Sequence, residues 1–533
     1  MPRVALGLFA AALIAAIVAG KTGASFMTGF EQPQPALAAV APEVSARPSS
    51  TSRPARRVVL VIVDGLALES SRGLPYLDSL RARGVDAMAT SHYPSWSRPN
   101  YVSILTGVPP TASGIRTNHH PWSIPLDTLM DRVQAARLHV SVVSDRAMIP
   151  PLFVRPMGTD LDDLEIRFSG DHTSLPAGYT WPFDDARYSR EEIGRVATDL
   201  VAGSAELVIV LTGVVDAAGH ASGRDSDAYR QAARDADAML AHALARLDLS
   251  RDAVIVTADH GHSASGGHGG VEPDVLNVPL IAAGAGIAAG HHVDGARLID
   301  ISPTIAALLG VSAPGHALGR TLTEILRDHD ATNLDDRDWD RAVHMQAVID
   351  AAVDADADVV ARHRMYRGLA VIAGAILAIA FGVRARRRGW IAVDRRIAIG
   401  IVPIVASFGV SLLVVAGSLS PSLIPTRGDI VTRAVAFAIA MVAIQLGVTG
   451  WLLRGRAGRL ADACGLAWVA LVTAAIVGGA AWAAFPPPYT TMPGPVWLVA
   501  IPTLELAAAC GAAAVAVMLG LELALSRRRS LRR

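Results

Sequence analysis

Five long apolar stretches in the last third of the chain restrict its fold more than any other feature. Each is about as long as a helix that crosses a bilayer. A buried soluble helix would explain one of them, but not five in succession. Because backbone polar groups in lipid must be satisfied within helices or closed barrels, we expect an all-α, five-helix transmembrane domain over residues 368–525. The stretches are Gly368–Val383, Ile397–Gly417, Ala434–Leu453, Leu466–Phe485 and Val496–Leu519.

Arginine placement predicts the orientation of this domain. Arginines cluster after the first, third and fifth stretches, whereas the loops Ser418–Asp429 and Pro486–Pro495 carry only Arg427. Basic residues favour the cytoplasmic side of a membrane. We therefore expect a multi-pass protein of the cell membrane, with a basic cytoplasmic tail at 526–533 and the middle of the chain on the extracytoplasmic side.

The N-terminal residues predict an anchor followed by a tether. The apolar run Val4–Gly20 lies behind Arg3, which is typical of a transmembrane anchor or a signal peptide within residues 1–25. An uncleaved anchor agrees with the orientation that the arginines predict. Residues 26–56 are rich in Pro, Ala and Ser without any periodicity, so we expect a disordered linker there.

Composition excludes several classes of function for the middle of the chain. The formal net charge is zero, and no basic stripe indicates a nucleic-acid partner. Lys21 is the only lysine, which excludes a lysine nucleophile in the middle segment. Cys464 and Cys510 lie in or beside the apolar stretches, so that segment has neither a disulfide nor thiolate chemistry. Nothing in the sequence indicates an oligomeric state.

The middle of the chain, residues 57–325, has the pattern of an α/β domain. Val58–Val63, Glu206–Gly213 and Ala253–Val256 are short, continuous apolar runs, which are typical of strands buried on both faces of a parallel sheet. An amphipathic helix is predicted between the second and third runs. We therefore expect a mostly parallel sheet flanked by helices, followed by a charged helical connector at 326–367.

Acidic and imidazole side chains follow these strands. Each residue alone is weak evidence for a metal site, since polar turns commonly end strands. Together, however, they offer the mixed oxygen and nitrogen ligands that suit a divalent metal. We predict one site from Asp216, His220 and His268. A second site combines Asp64, Asp259 and His260, with Ser97 as its exchangeable neighbour. Two such ions about 4 Å apart stabilise the attacking and leaving oxygens in phosphoryl transfer.

Ser97 is the predicted nucleophile. It lies between Trp96 and Arg98 at a predicted junction of a loop with a helix. A serine in this place is most often an N-cap, but the same place puts its hydroxyl at the positive end of a helix, where a phosphoryl group is stabilised. The middle segment has no Gly-x-Ser-x-Gly elbow, so a metal would have to activate the serine. His119 and His120 are substrate-pocket candidates, although adjacent loop histidines are usually solvated.

Four stretches, taken in order, resemble the alkaline phosphatase superfamily. The closest branch is that of type I phosphodiesterases and nucleotide pyrophosphatases, and the later runs NVPLIAAGAGI and IDISPTIAALLGV also resemble the catalytic half of GPI ethanolamine phosphate transferases, which carry a membrane-embedded half as well. The resemblance covers about 57–325. The four stretches are the strand ending in Asp64-Gly65, the block Ser97-Arg98-Pro99-Asn100 running on to LTGVPPTASGI, the pair Asp216-x-x-x-His220, and Asp259-His260-Gly261 with the later His268.

The resemblance implies an alkaline-phosphatase-like fold and a covalent phosphoserine at Ser97. It implies two divalent metal ions held by the two predicted ligand sets, with zinc as the default and manganese or magnesium as alternatives. Asn100 would contact a phosphate oxygen, and Arg98 would join His119 and His120 in binding substrate. The nucleophile of the phosphodiesterase branch is usually threonine, and sulfatases carry arginine where this chain has Tyr101, which disfavours sulfate ester cleavage.

Three functions remain open at this point. The first is a membrane-anchored, extracytoplasmic two-metal phosphoester hydrolase. The second is a phosphoethanolamine-type phosphotransferase acting on a lipid or glycan acceptor, with membrane lipid as a partner. In that case Glu505, which is costly inside the last span, is a candidate polar contact. The third is an inactive exported recognition module of a transport or assembly protein, which the complete ligand set disfavours.

Overall fold

The structure is a computed structural model that forms two compact units. One consists of residues 31–353, and the other of residues 1–30 with 354–533. The structure describes residues 2–33, 35–44, 53–118, 124–144, 164–168, 190–291, 293–327, 331–394, 419–423, 459–486 and 491–531, together with residues 443, 444, 447, 451 and 454.

The 31–353 unit is built on an eight-stranded sheet of order β4-β3-β5-β1-β6-β7-β2-β8. All its strands run parallel except β7, which is antiparallel to both neighbours. This arrangement confirms the predicted α/β class with a mostly parallel sheet. The strands are β1 (Arg57–Val63), β2 (Val85–Thr90), β3 (Val140–Ser144), β4 (Leu164–Phe168), β5 (Leu207–Thr212), β6 (Asp252–Thr257), β7 (Asn277–Gly284) and β8 (Ala296–Arg297).

The central strands β1, β5 and β6 are buried along their whole length. Their Val, Ile and Leu side chains face helices on both sides, which explains why these strands read as continuous apolar runs rather than alternating ones. In the register, Val63 lies beside Thr212, and Ile62 lies beside Thr257. The three strands therefore end together, and the residues that follow them emerge at one edge of the sheet.

Helices flank this sheet and connect its strands. Among the residues that the structure describes in the 31–353 unit, they are α2 (Pro75–Arg81), α3 (Ser97–Thr106), α4 (Pro110–Ser113), α5 (Leu129–Ala135), α6 (Arg190–Ala202), α7 (Val214–Ser222), α8 (Asp227–Ala243), α9 (Pro273–Leu276) and α10 (Ile301–Leu309). The predicted amphipathic helix after His220 is α8, whose N-cap Ser226 accepts the N–H of Tyr229 over 3.1 Å.

The other unit consists of long apolar helices. They are α1 (Pro2–Glu31), the membrane part of α11 (Ala331–Arg387), α12 (Arg459–Ala484) and α13 (Pro495–Leu531). These four are long and apolar enough to cross a membrane. Ala12 of α1, Ala467 of α12 and Val515 of α13 belong to one buried apolar cluster.

The structure refines the predicted segments at several points. The first helix runs to Glu31, beyond the predicted anchor at 1–25 and into the predicted linker. The predicted connector and first span form one continuous helix, α11. The predicted second and third spans lie almost entirely outside the described residues.

Candidate active site

Three carboxylates lie where three neighbouring strands end. Asp64 directly follows β1, Asp259 lies two residues after β6, and Asp216 lies in the first turn of α7, just after β5. This edge, at the carboxyl ends of parallel strands, is where open α/β sheets usually bind their ligands. The backbone N–H of Asp216 donates to the carbonyl oxygen of Asp64 over 3.0 Å, which holds two of the acidic turns together.

Asp64, Asp259 and His260 form the first ligand set. One potential ligand atom from each lies within 4.8 Å of the others, and all three side chains are fully buried. His260 Nε2 is 3.4 Å from Asp64 Oδ1 and 3.3 Å from Asp259 Oδ2. His260 Nδ1 donates to the carbonyl oxygen of Gly261 over 3.0 Å, so the lone pair of Nε2 faces the carboxylates.

Asp216, His220 and His268 form the second ligand set. His220 Nε2 lies 3.3 Å from Asp216 Oδ1 and 3.0 Å from His268 Nε2. His268 Nδ1 donates to the carbonyl oxygen of Ser95 over 2.8 Å, which leaves Nε2 to face the other two ligands. The side chain of His220 is 40% exposed, whereas those of Asp216 and His268 are buried. This set is therefore the one that solvent reaches.

The two ligand sets lie side by side. The rings of His260 and His268 stack with centroids 3.6 Å apart and an interplanar angle of 13°. Each ring belongs to a different set, so the two ligand sets are in contact through this stacked pair of imidazoles. The structure thus brings the six predicted metal ligands together as two adjacent groups.

The donor set fits divalent cations. Asp259 Oδ2 is buried and accepts no hydrogen bond from the described residues. Burial, together with the charges of Asp64 and Asp216, raises the pKa of Asp259 well above its usual range. Burial lowers the pKa of His260 well below its usual range and that of His268 to about 3. Neutral imidazoles bind metal ions through their unprotonated nitrogen, and a bound cation would offset the burial and the neighbouring charges that raise the pKa of Asp259.

Ser97 lies beside the first ligand set. It is the first residue of α3, where the helix dipole favours negative charge, and it is 2% exposed. Its Oγ is 3.1 Å from His260 Nε2. Because Nδ1 of that ring carries the proton, the Ser97 hydroxyl is the donor of this hydrogen bond.

The loop that precedes Ser97 is hydrogen-bonded to the loop that carries His268. Ser95 Oγ accepts the N–H of Gly269 over 2.9 Å and donates to the carbonyl oxygen of Gly270 over 2.8 Å. A Cβ on Gly269 would lie 2.5 Å from Trp96 Nε1. Only glycine lets these two loops approach so closely, which explains the glycine-rich sequence after His268.

A second glycine sets the spacing of the acidic turns. Gly65 has a φ of +77°, and a Cβ there would lie 2.7 Å from the Cα of Asp216. Both the left-handed backbone and the close approach require glycine. The N–H of Gly65 also donates to Asp259 Oδ1 over 3.3 Å. The turn at Asp64-Gly65 is therefore part of the candidate site.

His262 is a site residue that the sequence reasoning missed. It is fully buried, and its Nε2 lies 2.9 Å from Asp216 Oδ1. Its Nδ1 accepts the N–H of Gly267 over 3.2 Å, so the ring proton must be on Nε2, which donates to Asp216. A second imidazole two residues after His260 was the available signal. In this tautomer His262 orients a metal ligand without being one, although its position also falls within ligand distance of Asp216 and His260.

Tyr101 and Asn100 act beside the nucleophile in ways that the sequence did not indicate. The buried hydroxyl of Tyr101 donates to Asp64 Oδ2. The Asn100 amide nitrogen lies 3.1 Å from the carbonyl oxygens of both His92 and Trp96, and its oxygen accepts the N–H of His92 over 3.0 Å. These bonds favour a role for Asn100 in shaping the turn before Ser97 over the predicted phosphate contact.

Of the three predicted substrate-binding residues, only Arg98 lies within the described part of the chain. Arg98 is 2% exposed, its N–H donates to Asn118 Oδ1 over 2.9 Å, and burial lowers its pKa to about 10. It is thus a buried cation next to Ser97. His119 and His120 lie outside the described residues.

Comparison with known proteins identifies the segment that carries this site. The family model "Type I phosphodiesterase / nucleotide pyrophosphatase" matches residues 58–317. The matched segment, hereafter the phosphodiesterase-family domain, makes up just under half of the chain. Every residue of the two ligand sets, together with Ser97, lies inside this phosphodiesterase-family domain. The match confirms the predicted resemblance to that branch of the alkaline phosphatase superfamily.

Two curated relatives extend the match beyond the phosphodiesterase-family domain. The chain is 27% identical to GPI ethanolamine phosphate transferase 1 of Neurospora crassa over 51% of its length. The chain is also 24% identical to the catalytic subunit of human GPI ethanolamine phosphate transferase 2, in an alignment that covers 61% of this chain. The alignments span 32% and 34% of those relatives, so the chain covers about a third of the length of the curated proteins it matches.

Solved structures also align with the chain. Human ectonucleotide pyrophosphatase / phosphodiesterase 5 aligns with a TM-score of 0.39 and 15% identity, over 52% of this chain and 99% of that one.

Proposed function

We propose that the protein is a membrane-anchored, metal-dependent phosphoester hydrolase that acts through a phosphoserine at Ser97. The convergence of two ligand sets beside one hydroxyl supports this proposal most strongly. Ser97 Oγ lies 3.1 Å from His260 Nε2, and the ring of His260 stacks on His268 of the other set. A serine with only a structural role would not need to lie beside two groups of carboxylates and imidazoles that can each hold a metal ion.

The residues of the chain divide the chemistry between them. Asp64, Asp259 and His260 would hold one divalent ion, and Asp216, His220 and His268 would hold the other. When bound, such ions neutralise phosphate oxygens and lower the pKa of a hydroxyl. Zinc is the first candidate, because imidazole and carboxylate ligands together suit it, and manganese and magnesium are the alternatives.

The reaction that we propose has two displacement steps. Ser97 Oγ loses its proton and forms a bond to phosphorus, and the bond from phosphorus to the leaving oxygen breaks. The leaving group gains a proton. A water molecule then loses a proton while its oxygen bonds phosphorus, the bond from phosphorus to Ser97 Oγ breaks, and the serine oxygen gains a proton. The N-terminus of α3 favours the negative charge on Oγ in both steps.

Replacement of Ser97 tests the nucleophile. In the full-length, metal-loaded protein, Ser97→Ala should lower the hydrolysis of bis(p-nitrophenyl) phosphate by about a thousandfold or more. Ser97→Thr keeps a hydroxyl and is the matched control, which should retain far more activity. Intact-mass analysis after acid quenching should find a p-nitrophenylphosphoryl group on the wild-type protein. Wild-type turnover in Ser97→Ala would overturn the assignment.

A phosphotransferase is the second candidate function. The two named relatives are GPI ethanolamine phosphate transferases, which favours transfer of a substituted phosphoryl group to a lipid or glycan hydroxyl. The first step would be the same, and the acceptor hydroxyl would replace water in the second. Product analysis with a glycolipid acceptor added separates the two functions. A rise in acceptor phosphorylation at the expense of free product supports transfer, and unchanged hydrolysis supports the hydrolase.

We also propose an extracytoplasmic catalytic unit and a cytoplasmic C-terminus. The arginine distribution supports this orientation, and the four apolar helices supply the membrane segments. Protease treatment of sealed vesicles of known orientation tests it. With the cytoplasmic face outward, an epitope tag after Arg533 should be removed while the 31–353 unit stays protected. The reverse pattern would contradict the orientation.

A further inference from the structure

Ser95 joins the nucleophile loop, residues 91–96, to the loop of the second ligand set. It lies two residues before Ser97 and is fully buried. Its Oγ accepts the N–H of Gly269 over 2.9 Å and donates to the carbonyl oxygen of Gly270 over 2.8 Å. Its own carbonyl oxygen accepts the Nδ1 proton of His268 over 2.8 Å. Ser95 therefore makes three hydrogen bonds to three consecutive residues of the other loop.

These bonds give Ser97 two separate attachments. Its hydroxyl bonds His260 of the first ligand set over 3.1 Å. Its backbone is joined through Ser95 to the loop that carries His268 of the second set. Two residues of extended chain span at most about 7 Å, so Ser97 stays close to that loop as long as the bonds of Ser95 hold.

A structural role alone is the alternative for Ser95, because buried hydroxyls commonly satisfy backbone groups. Ser71 is an example in the same unit. It is fully buried, and its Oγ donates to the carbonyl oxygen of Leu68 and accepts a hydrogen bond from Arg81, both over 2.6 Å. None of these contacts reaches a residue of either ligand set. Ser95 differs because its bonds join a predicted metal ligand and the two residues after it to the loop that places the nucleophile.

We propose that Ser95 is a positioning residue that fixes the Ser97 hydroxyl relative to the second ligand set. The inference rests on the proposed function and deepens it, because it makes the placement of the nucleophile depend on both ligand sets. In a displacement at phosphorus the attacking oxygen must be aligned with the leaving oxygen, and a misplacement of about 1 Å can cost about 100-fold in rate. The Ser95 hydroxyl therefore contributes to kcat rather than to substrate affinity.

Hydrogen exchange of the metal-free, full-length protein tests the contact without any measurement of activity. Ser95→Ala removes both Oγ bonds and keeps the carbonyl oxygen that accepts from His268. The N–H of Gly269 should then exchange about tenfold faster, which is the factor expected for the loss of one hydrogen bond. Ser71→Ala is the matched control and should leave this exchange unchanged. Unchanged exchange at Gly269 in Ser95→Ala would overturn the proposal.

Steady-state kinetics of the metal-loaded protein then test the role. Ser95→Ala should lower kcat for bis(p-nitrophenyl) phosphate about 10- to 100-fold, as loss of a group that supports a metal ligand does. KM and metal content should stay close to the wild-type values. Ser95→Thr keeps the hydroxyl and should restore most of kcat. Wild-type kcat in Ser95→Ala, or an equal fall of kcat in Ser71→Ala, would overturn the proposal.

Comparison with Ser97→Ala separates this proposal from the proposed function. If Ser97→Ala loses turnover and Ser95→Ala keeps it, only the role of Ser95 fails. Wild-type turnover in Ser97→Ala, or no turnover in the wild-type protein, would overturn both the nucleophile and the residue proposed to position it.

Discussion

His262 donates from Nε2 to Asp216 Oδ1 over 2.9 Å while its Nδ1 accepts the N–H of Gly267. Both ring nitrogens are thus engaged, and the ring is fixed by a backbone group on one side and a predicted metal ligand on the other. A buried donor of this kind orients a carboxylate and sets its affinity for a metal ion. Two predictions concern such donors, one for each ligand set.

Removal of the His262 donor should weaken the binding of the ion at Asp216, His220 and His268. We expect His262→Phe to lower the affinity for that ion about 10- to 100-fold, while His262→Gln, which can still donate, should retain part of it. Chelator titration with metal analysis measures this directly. The exposed His242 on α8 provides the control variant His242→Ala. Complete loss of one ion in His262→Gln would instead make His262 a direct ligand.

Removal of the Tyr101 hydroxyl should weaken the binding of the ion at Asp64, Asp259 and His260. Tyr101→Phe keeps the buried ring and removes only the hydroxyl that donates to Asp64 Oδ2. We expect the affinity for the ion at Asp64, Asp259 and His260 to fall about 10- to 100-fold, since loss of a hydrogen bond to a charged group costs about 1.5–3 kcal/mol. Tyr366→Phe, at an exposed tyrosine, is the control. Unchanged chelator sensitivity would show that the hydroxyl does not position Asp64.

Gly65 should be intolerant of any side chain. Gly65→Ala adds a Cβ 2.7 Å from the Cα of Asp216, at a φ of +77°. Gly73 has a nearly identical φ of +72°, but a Cβ there meets nothing within 4 Å. Gly73→Ala should therefore cost only the left-handed backbone term of about 1–2 kcal/mol. Gly65→Ala should cost more and also lower metal content. Equal melting temperatures with full metal content in both variants would contradict the close approach.

His92 should make stability depend on pH. Burial, with a smaller contribution from Arg297, lowers its pKa to about 4, below its ordinary value of 6.5. Between these values the unfolded chain binds the proton and the folded chain does not, so stability falls as the pH drops from 6.5 towards 4, by up to about 1.4 kcal/mol per pH unit. Melting of metal-loaded protein should show a shallower pH dependence in His92→Gln than in the wild type. Identical slopes would contradict this prediction.

Much of the site follows from local sequence. Asp64, Asp216 and Asp259 each come just after a continuous apolar run, and parallel strands that are buried on both faces end at one edge. That geometry alone brings three distant carboxylates together. The ligand atoms of each predicted set lie within 4.8 Å of one another, and those of Asp216, His260 and His262 do so as well.

The remaining features depend on contacts that local sequence does not encode. His262 orients Asp216 only because Gly219 leaves room for its ring, since a Cβ there would lie 2.5 Å from His262 Nε2. Asn100 is turned towards the backbone of residues 92–96 by a loop whose path no periodicity reveals. The antiparallel direction of β7 also cannot be predicted from local sequence, because its apolar run is compatible with either direction.

Metal content of the purified full-length protein tests the central claim most directly. After incubation with zinc and removal of loosely bound ions, mass spectrometry of the metal should find about two ions per chain. A chain with both Asp64→Ala and Asp216→Ala should hold almost none while keeping its folded size in gel filtration. Equal metal content in the wild-type and doubly substituted chains, or none in either, would contradict the account.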